Sequence, residues 1–187
     1  MLAEASAELG GRVTKESRLP GLETWARVRD WRIGQLHKMP NVEIFMDSKM
    51  TPETIRETGA NLVALATGAT WRRDGSGRYH DYPLESAARH AGHVFTPDDV
   101  MDGADMEGPV VVYDDDHYYM GGVIAEELAR KGRTVSLVPP DASVSSWTAF
   151  TLELGRIQTR MREKGIALYL DHALTKVDDG ELEIEDI

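Results

Sequence analysis

The sequence contains no cysteine. A chain without thiols forms no disulfide, no thiolate nucleophile and no cysteine-ligated zinc or iron–sulfur site. No apolar run approaches the roughly 20 residues that cross a bilayer. The first residues also lack the basic and apolar regions of a secretory signal. We therefore expect no membrane association and a cytoplasmic location.

Acidic residues outnumber basic ones. The sequence contains 21 Lys and Arg and 32 Asp and Glu, which gives a formal net charge of −11. Such a chain repels phosphate backbones, and its basic residues do not gather into one stripe, so we expect no nucleic-acid partner. The hydrophobic fraction of 41% is that of a globular protein. With 187 residues the chain is too short for two complete nucleotide-binding domains.

The second half of the chain carries the clearest pattern. Residues 110–113 are a short apolar strand, residues 120–131 an amphipathic helix ended by Gly132, and residues 134–138 a second strand. This order predicts a βαβ unit. A further helix over residues 151–164 and a strand over 166–170 follow.

The first half carries weaker signals of the same kind. Residues 1–4 resemble the end of a strand, and residues 61–66 form a nearly continuous apolar strand. Threonine followed by proline and an acid predicts helix starts at Thr51 and Thr96. Apolar residues at helical spacing predict a helix over residues 21–39, with Arg29 and Arg32 inside its apolar arc and Trp31 outside it.

These patterns together predict an α/β fold built from Rossmann-like dinucleotide-binding-type units, as a fragment of a larger protein. Residues 1–105 are expected to form a partial FAD- or ADP-binding-like unit with a crossing segment. Residues 106–187 are expected to form a partial NAD-binding-like unit.

Candidate ligand residues gather in the first half. Glu4 ends a strand, where a carboxylate can accept both hydroxyls of a ribose diol. Gly10 and Gly11 would let backbone N–H groups approach a phosphate, and Arg12 could pair with it. The sequence Ala66-Thr67-Gly68 ends the next strand at the carboxyl edge of the sheet, where ligands of open α/β sheets bind.

The βαβ unit of the second half lacks the glycine fingerprint of a dinucleotide site. Residues 114–119 bring three aspartates to the turn that should carry glycines, and Pro139-Pro140 stands where the ribose acid should be. We therefore predict that this unit does not bind NAD. Residues 114–116 are predicted to form a solvated loop rather than a cation site.

No residue of the chain is predicted to be catalytic or to ligate a metal. His80, His90 and His93 lie within one loop, but a third ligand in metal-binding geometry is not evident, so we expect surface histidines.

Several blocks of the chain resemble one family, the trimethylamine, dimethylamine and histamine dehydrogenase flavoproteins. The resemblance runs through nearly the whole chain. The blocks are Leu9-Gly10-Gly11, Leu19-Pro20-Gly21-Leu22, Arg29-Asp30, Ala66-Thr67-Gly68-Ala69-Thr70-Trp71, Thr96-Pro97, Val100-Met101-Asp102-Gly103 and Phe150-Thr151-Leu152-Glu153.

This resemblance implies a homodimeric parent enzyme whose (β/α)8 barrel holds FMN and a 4Fe-4S cluster. The C-terminal part would carry FAD- and NAD-binding-type domains with ADP in the first, and electrons would leave to an electron-transfer flavoprotein. The chain lacks the barrel, the cluster cysteines and the glycine-rich first strand. The implied site residues are Glu4 for the ribose, Gly10, Gly11 and Arg12 for phosphate, Met50 for a backbone contact to adenine, and Ala66, Thr67 and Gly68 near the pyrophosphate.

Three functional interpretations follow. The first is a fragment of such an amine dehydrogenase, catalytically silent by itself because it holds no group that accepts two electrons. The second is a fragment of an NAD(P)H-dependent enoate or dienoyl reductase of the same architecture, which the acidic turn disfavours. The third is a small nucleotide-binding or interaction module without catalysis. The residues do not indicate which amine a parent would oxidise.

Overall fold

A computed structural model describes residues 1–187 and divides them into two compact units, unit 1 (Met1–Ala69) and unit 2 (Thr70–Ile187). The predicted α/β class is confirmed, because helices alternate with strands and two of the three sheets are parallel. The predicted division into residues 1–105 and 106–187 stays a prediction. No helix combines the length and the apolar character that a bilayer crossing requires.

Unit 1 contains one short parallel pair of strands and three helices. Its strands pair Leu2 with Ile44 and Ala3 with Phe45. Only two apolar side chains of this unit, Leu19 and Leu22, are fully buried. The elements are β1 (Leu2–Ala3), α1 (Arg12–Glu16), a 3-10 turn (Glu23–Trp25), α2 (Ala26–Leu36), β2 (Ile44–Phe45) and α3 (Pro52–Glu57).

The start of α3 confirms the predicted helix signal at Thr51. The Thr51 hydroxyl accepts from the backbone N–H of Thr54, the Thr54 side chain accepts from the backbone N–H of Thr51, and Pro52 takes the first helical position. A local sequence pattern was sufficient here because every partner lies within one turn.

The helix predicted over residues 21–39 is shorter and less buried than expected. It begins as a 3-10 turn, continues as α2 and contains no fully buried residue. Val28, one of the apolar residues whose helical spacing predicted this helix, is 49% exposed. Trp31, predicted to lie outside the apolar face, is 64% exposed.

The strand predicted over residues 61–66 is wrong. The segment joins no sheet, and Leu62 and Leu65 are 89% and 76% exposed. A strand requires a neighbouring backbone that supplies its hydrogen bonds, and β1 and β2, two residues each, bond to each other. Apolar content alone therefore does not produce a strand here.

Unit 2 contains a three-stranded parallel sheet, an antiparallel hairpin and four helices. The parallel sheet has the order β3-β4-β5, and β6 pairs with β7 in the hairpin. The elements are α4 (Glu85–Arg89), a 3-10 turn (Ala91–His93), α5 (Pro97–Met101), β3 (Val110–Tyr113), α6 (Met120–Arg130), β4 (Val135–Val138), a 3-10 turn (Ser146–Thr151), α7 (Leu154–Glu163), β5 (Ala167–Leu168), β6 (His172–Val177) and β7 (Leu182–Asp186).

The predicted βαβ unit is confirmed as β3, α6 and β4. Helix α6 buries nine consecutive residues from Met120 to Leu128, and Leu137 of β4 and Met161 of α7 are among the most deeply buried side chains. A second cluster joins α4 to the hairpin through Leu84, Ala87, Leu174 and Val177. Unit 2 therefore has an apolar core of its own.

Candidate nucleotide site

Glu4 lies directly after β1 and is fixed by backbone contacts. Its N–H donates to the Phe45 carbonyl at 2.9 Å, and its carbonyl accepts from the Ser48 N–H at 2.7 Å. The Ser6 N–H and hydroxyl both donate to Oε1 at 2.9 Å, which leaves Oε2 as an acceptor. The Ser6 backbone hydrogen bond lowers the pKa of the Glu4 carboxyl, so the group is ionised at neutral pH. An ionised carboxylate at this strand end can accept hydroxyl groups of a diol.

Gly10 and Gly11 form the turn that leads into α1. Their φ angles are 121° and 50°, in the region that favours glycine. A Cβ at Gly10 would lie 2.7 Å from Cγ of Arg29, whereas a Cβ at Gly11 would meet nothing within 4 Å. Gly10 is thus required by both conformation and space, and Gly11 by conformation alone.

Arg12 connects this turn to the segment that follows residue 65. Its Nη2 donates to the Ala69 carbonyl at 2.5 Å, and its Nη1 lies 3.7 Å from Oε1 of Glu16. The guanidinium is therefore already engaged by a carbonyl and a carboxylate. A phosphate would have to share or replace these partners.

The remaining predicted site residues lie on two other segments of unit 1. Met50 precedes the Thr51 cap, and its sulfur is 4.0 Å from the Thr54 hydroxyl. Ala66, Thr67 and Gly68 are exposed, and Gly68 has a φ of 77°. The hydrogen bond from the Ser48 N–H to the Glu4 carbonyl places the Met50 segment next to Glu4. The hydrogen bond from Arg12 to the Ala69 carbonyl places the end of the 66–69 segment next to Arg12. No hydrogen bond or ion pair joins Glu4 directly to Arg12.

The acidic turn of unit 2 differs from its prediction. Asp114, expected in a solvated loop, is 2% exposed, and its Oδ2 has no hydrogen-bond partner. The carboxyl lies at the first turn of α6, where only the missing side chain of Gly121 makes room for it. Burial, reinforced by the charge of Asp116, raises the pKa of Asp114 to about 6. A ligand phosphate would meet this carboxyl at the helix start.

His117 is a residue whose role the sequence did not reveal. It is 9% exposed with a φ of 62°, and its Nε2 and Nδ1 lie 3.1 and 3.3 Å from carboxylate oxygens of Asp115 and Asp141. Its carbonyl accepts from the Trp147 N–H at 3.0 Å. His117 therefore connects the turn after β3 to the loop after β4. Nothing in the local sequence indicates these distant partners.

The three loop histidines of unit 2 have separate environments. His80 is 8% exposed and its Nε2 lies 2.8 Å from the Leu174 carbonyl, so the predicted surface position is wrong for this residue. His90 and His93 lie 3.5 and 3.6 Å from the carboxylates of Asp178 and Asp179. No group of three or more His, Asp or Glu side chains could hold a metal ion.

Comparison with known proteins gives a consistent relationship. Residues 95–187 match the family of OYE-like second alpha/beta domains. Dimethylamine dehydrogenase of Hyphomicrobium sp. (strain x) is 32% identical over 192 residues, which cover 100% of this chain and 26% of the relative. The chain thus spans about a quarter of the length of that relative.

Solved structures agree with this relationship. The 6-hydroxypseudooxynicotine amine oxidase HisD from Pseudomonas geniculata N1 is 41% identical with a TM-score of 0.93, over 97% of this chain and 27% of that one. Histamine dehydrogenase from Rhizobium sp. 4-9 is 44% identical with a TM-score of 0.90, over 98% of this chain and 28% of that one. A 2-naphthoyl-CoA reductase, 17% identical with a TM-score of 0.80, shares the fold.

Proposed function

Because the chain is homologous to a C-terminal segment of the amine dehydrogenase flavoproteins, we propose that it contributes an ADP-binding-type domain to an enzyme of that kind. The observation that carries the proposal is the similarity along 97–100% of this chain to only 26–28% of each relative. The oxidation of an amine would take place in the remainder of the parent enzyme, and this segment would bind the nucleotide.

The residues of unit 1 fit part of a nucleotide site. Glu4 offers an ionised carboxylate with one uncommitted oxygen, suited to a ribose diol. Gly10 and Gly11 form a turn without side chains before a helix that begins with Arg12. Bound there, ADP or FAD would be held by these groups together with the backbone at Met50 and at Ala66, Thr67 and Gly68. The geometry therefore favours recognition of the ribose and of one phosphate.

A 4Fe-4S cluster has no ligands in this chain, and no residue of the chain is predicted to bind FMN. Cluster ligation requires thiolates, and the sequence contains no cysteine. We propose that both groups belong to a (β/α)8 barrel of the parent. The isolated chain is expected to be inactive toward amines, and purified flavin-free protein should not reduce a dye with trimethylamine or histamine.

The exposed apolar residues of unit 1 support a place within a larger protein. Leu62 and Leu65 lie on one segment outside any helix or strand and are 89% and 76% exposed, and large exposed apolar side chains are typical of an interaction site. The barrel of the parent, a homodimeric assembly and an electron-transfer flavoprotein are the partners we propose, in a cytoplasmic enzyme. Trp31, 64% exposed on α2, is a candidate aromatic contact for such a partner.

The reductase alternative has weaker support. A similarity at 17% identity shows a shared fold, and the buried carboxyl of Asp114 occupies the position that an NAD(P)H pyrophosphate would approach. A small module without catalysis would be favoured if the gene encoded no barrel beside this segment. Sequencing the gene on both sides of the segment separates these possibilities.

Substitution of Glu4 tests the nucleotide site. The chain alone should bind ADP at millimolar concentration at best, because a few contacts do not reach the roughly −8 kcal/mol of micromolar affinity. In the full-length parent, Glu4→Ala should weaken ADP binding by about tenfold or more, since a hydrogen bond to a charged group contributes about 1.5–3 kcal/mol. Isothermal calorimetry measures the change.

Glu8→Ala is the matched control for this experiment. Glu8 lies on the same segment and pairs at 3.3 Å only with the exposed Arg18. The control should leave ADP affinity unchanged. Equal affinities of the Glu4 variant and the unsubstituted parent would refute the assignment of Glu4 and leave only a shared scaffold.

A further inference from the structure

The side chain of Arg29, on α2, packs against the Gly10–Gly11 turn. The φ of Gly10 is 121°, and a Cβ at this residue would lie 2.7 Å from Cγ of Arg29. The methylene groups of Arg29 therefore pack directly against the backbone of Gly10. This contact joins residues that are nineteen positions apart in the sequence.

A polar relay reinforces the same contact. Nη1 of Arg29 donates to the Thr14 hydroxyl at 3.2 Å, and that hydroxyl donates to the Leu9 carbonyl at 3.2 Å. Thr14 is 3% exposed. Because the hydroxyl has one proton, accepting from Arg29 leaves that proton for Leu9. The relay thus fixes the peptide group that precedes the turn.

The charge of Arg29 is already paired. Its Nε donates to Oδ1 of Asp30 at 2.8 Å, and its side chain is 23% exposed. A guanidinium that is bonded to Asp30 and Thr14 has few directions left for a ligand phosphate. Arg29 would therefore contribute to a phosphate site by fixing the shape of the turn and not by bonding to the phosphate.

We propose that Arg29 is the positioning residue of the Gly10–Gly11 turn, a role that rests on the proposed nucleotide site. The Arg29 stem and the Thr14 hydroxyl together leave no room for a side chain at residue 10, and the Arg29 guanidinium orients Thr14 to hold Leu9. Together they hold the turn in the conformation in which its backbone can approach a nucleotide phosphate. Arg29 acts through the turn and does not bind the ligand.

Amide hydrogen exchange of the 187-residue chain measures this role without any ligand. The Thr14 amide donates to the Gly11 carbonyl at 3.2 Å and so reports closure of the turn. The Ser17 amide, which donates to Val13 at 3.0 Å, is the reference for α1 as a whole. Arg29→Ala should accelerate Thr14 exchange relative to Ser17 by about tenfold, equivalent to about 1.4 kcal/mol.

Two further variants keep the result interpretable. Arg29→Met keeps an unbranched stem without the guanidinium, so the acceleration should be smaller than for Arg29→Ala. Arg32→Ala is the matched control on the same helix, because Arg32 bonds only to the Val28 carbonyl at 3.1 Å. The control should leave the exchange of Thr14 relative to Ser17 unchanged.

The outcomes separate this inference from the proposed function. Unchanged relative Thr14 exchange in Arg29→Ala overturns the positioning role, whatever the chain binds. Nuclear magnetic resonance titration with millimolar ADP then tests the site itself. Shifts at residues 4–12 that Arg29→Ala reduces and Arg32→Ala retains support both proposals. If Arg29→Ala accelerates exchange yet leaves the ADP affinity of the full-length parent unchanged, the functional part of the role of Arg29 is overturned, while the Glu4→Ala experiment decides the nucleotide site itself.

Discussion

Unit 1 and unit 2 separate two properties that a nucleotide-binding domain normally combines. Unit 1 contains two of the twenty fully buried apolar side chains, and unit 2 contains eighteen. Yet unit 1 carries the carboxylate and the glycine turn that we propose for nucleotide binding, whereas unit 2 has its βαβ framework and places a buried carboxyl at the start of α6. Apolar burial dominates folding stability, while ligand recognition depends on a few polar groups, so one property can persist without the other.

The largest expected difference between the units concerns their apolar residues. Leu137 is 0% exposed in β4, and Leu137→Ala should lower the free energy of unfolding by about 2–5 kcal/mol. Leu62 is 89% exposed in unit 1, and Leu62→Ala should change the free energy of unfolding by less than about 0.5 kcal/mol. Urea unfolding followed by circular dichroism measures both. Similar losses for the two variants would show that the segment of Leu62 is packed in solution.

The second prediction concerns the charge buried in unit 2. The pKa of Asp114 rises from 3.8 to about 6 on folding, so the folded chain retains a proton that the unfolded chain releases between these values. The free energy of unfolding therefore falls as pH rises through this window, by up to about 3 kcal/mol for this group. Asp114→Asn should be more stable than the unsubstituted chain at pH 8 and close to it at pH 4.

Thermal unfolding across this pH range checks the sign of the Asp114 effect. Asp81→Asn is the control, because Asp81 is exposed and its substitution removes no buried charge. A lower stability of Asp114→Asn at pH 8 would show that the carboxylate is stabilised by partners in solution.

A third, smaller difference compares two equivalent helix caps. Thr96 and Thr51 each form a capping box, but Thr96 is 5% exposed and Thr51 is exposed. Thr96→Ala should cost about 1–2 kcal/mol, because Asp99 also loses a buried partner, and Thr51→Ala about 0.5 kcal/mol. Serine at either position should restore most of the loss. Chemical denaturation would contradict the comparison if the Thr51 variant were the less stable one.

The last prediction is that unit 2 does not bind NADH. The carboxyl of Asp114 repels a pyrophosphate at the first turn of α6, so calorimetric titration at micromolar concentration should give no heat of binding. A measurable affinity that is lost on substitution of residues 114–119 would restore the NAD site and remove the contrast between the units.

Local patterns in the sequence predicted those features whose partners lie close together in the chain. The caps at Thr51 and Thr96 need only neighbours three residues away, and the βαβ unit follows from periodicity within residues 110–138. The placement of Glu4 at a strand end and of Gly10 and Gly11 in a turn also follows from residue types. Backbone propensity and hydrophobic periodicity are properties of short segments, which explains why they could be read without the fold.

Only the tertiary structure decided the features that depend on distant contacts. Three features join segments that are separated by a turn, a helix or a strand. They are the packing of Arg29 on Gly10, the burial of Asp114, and the contacts of His117 with Asp141 and Trp147. The apolar residues 61–66 show the converse, since a strand pattern without a neighbouring strand stays exposed. Burial and backbone pairing are set by which surfaces meet, and a one-dimensional pattern does not contain that information.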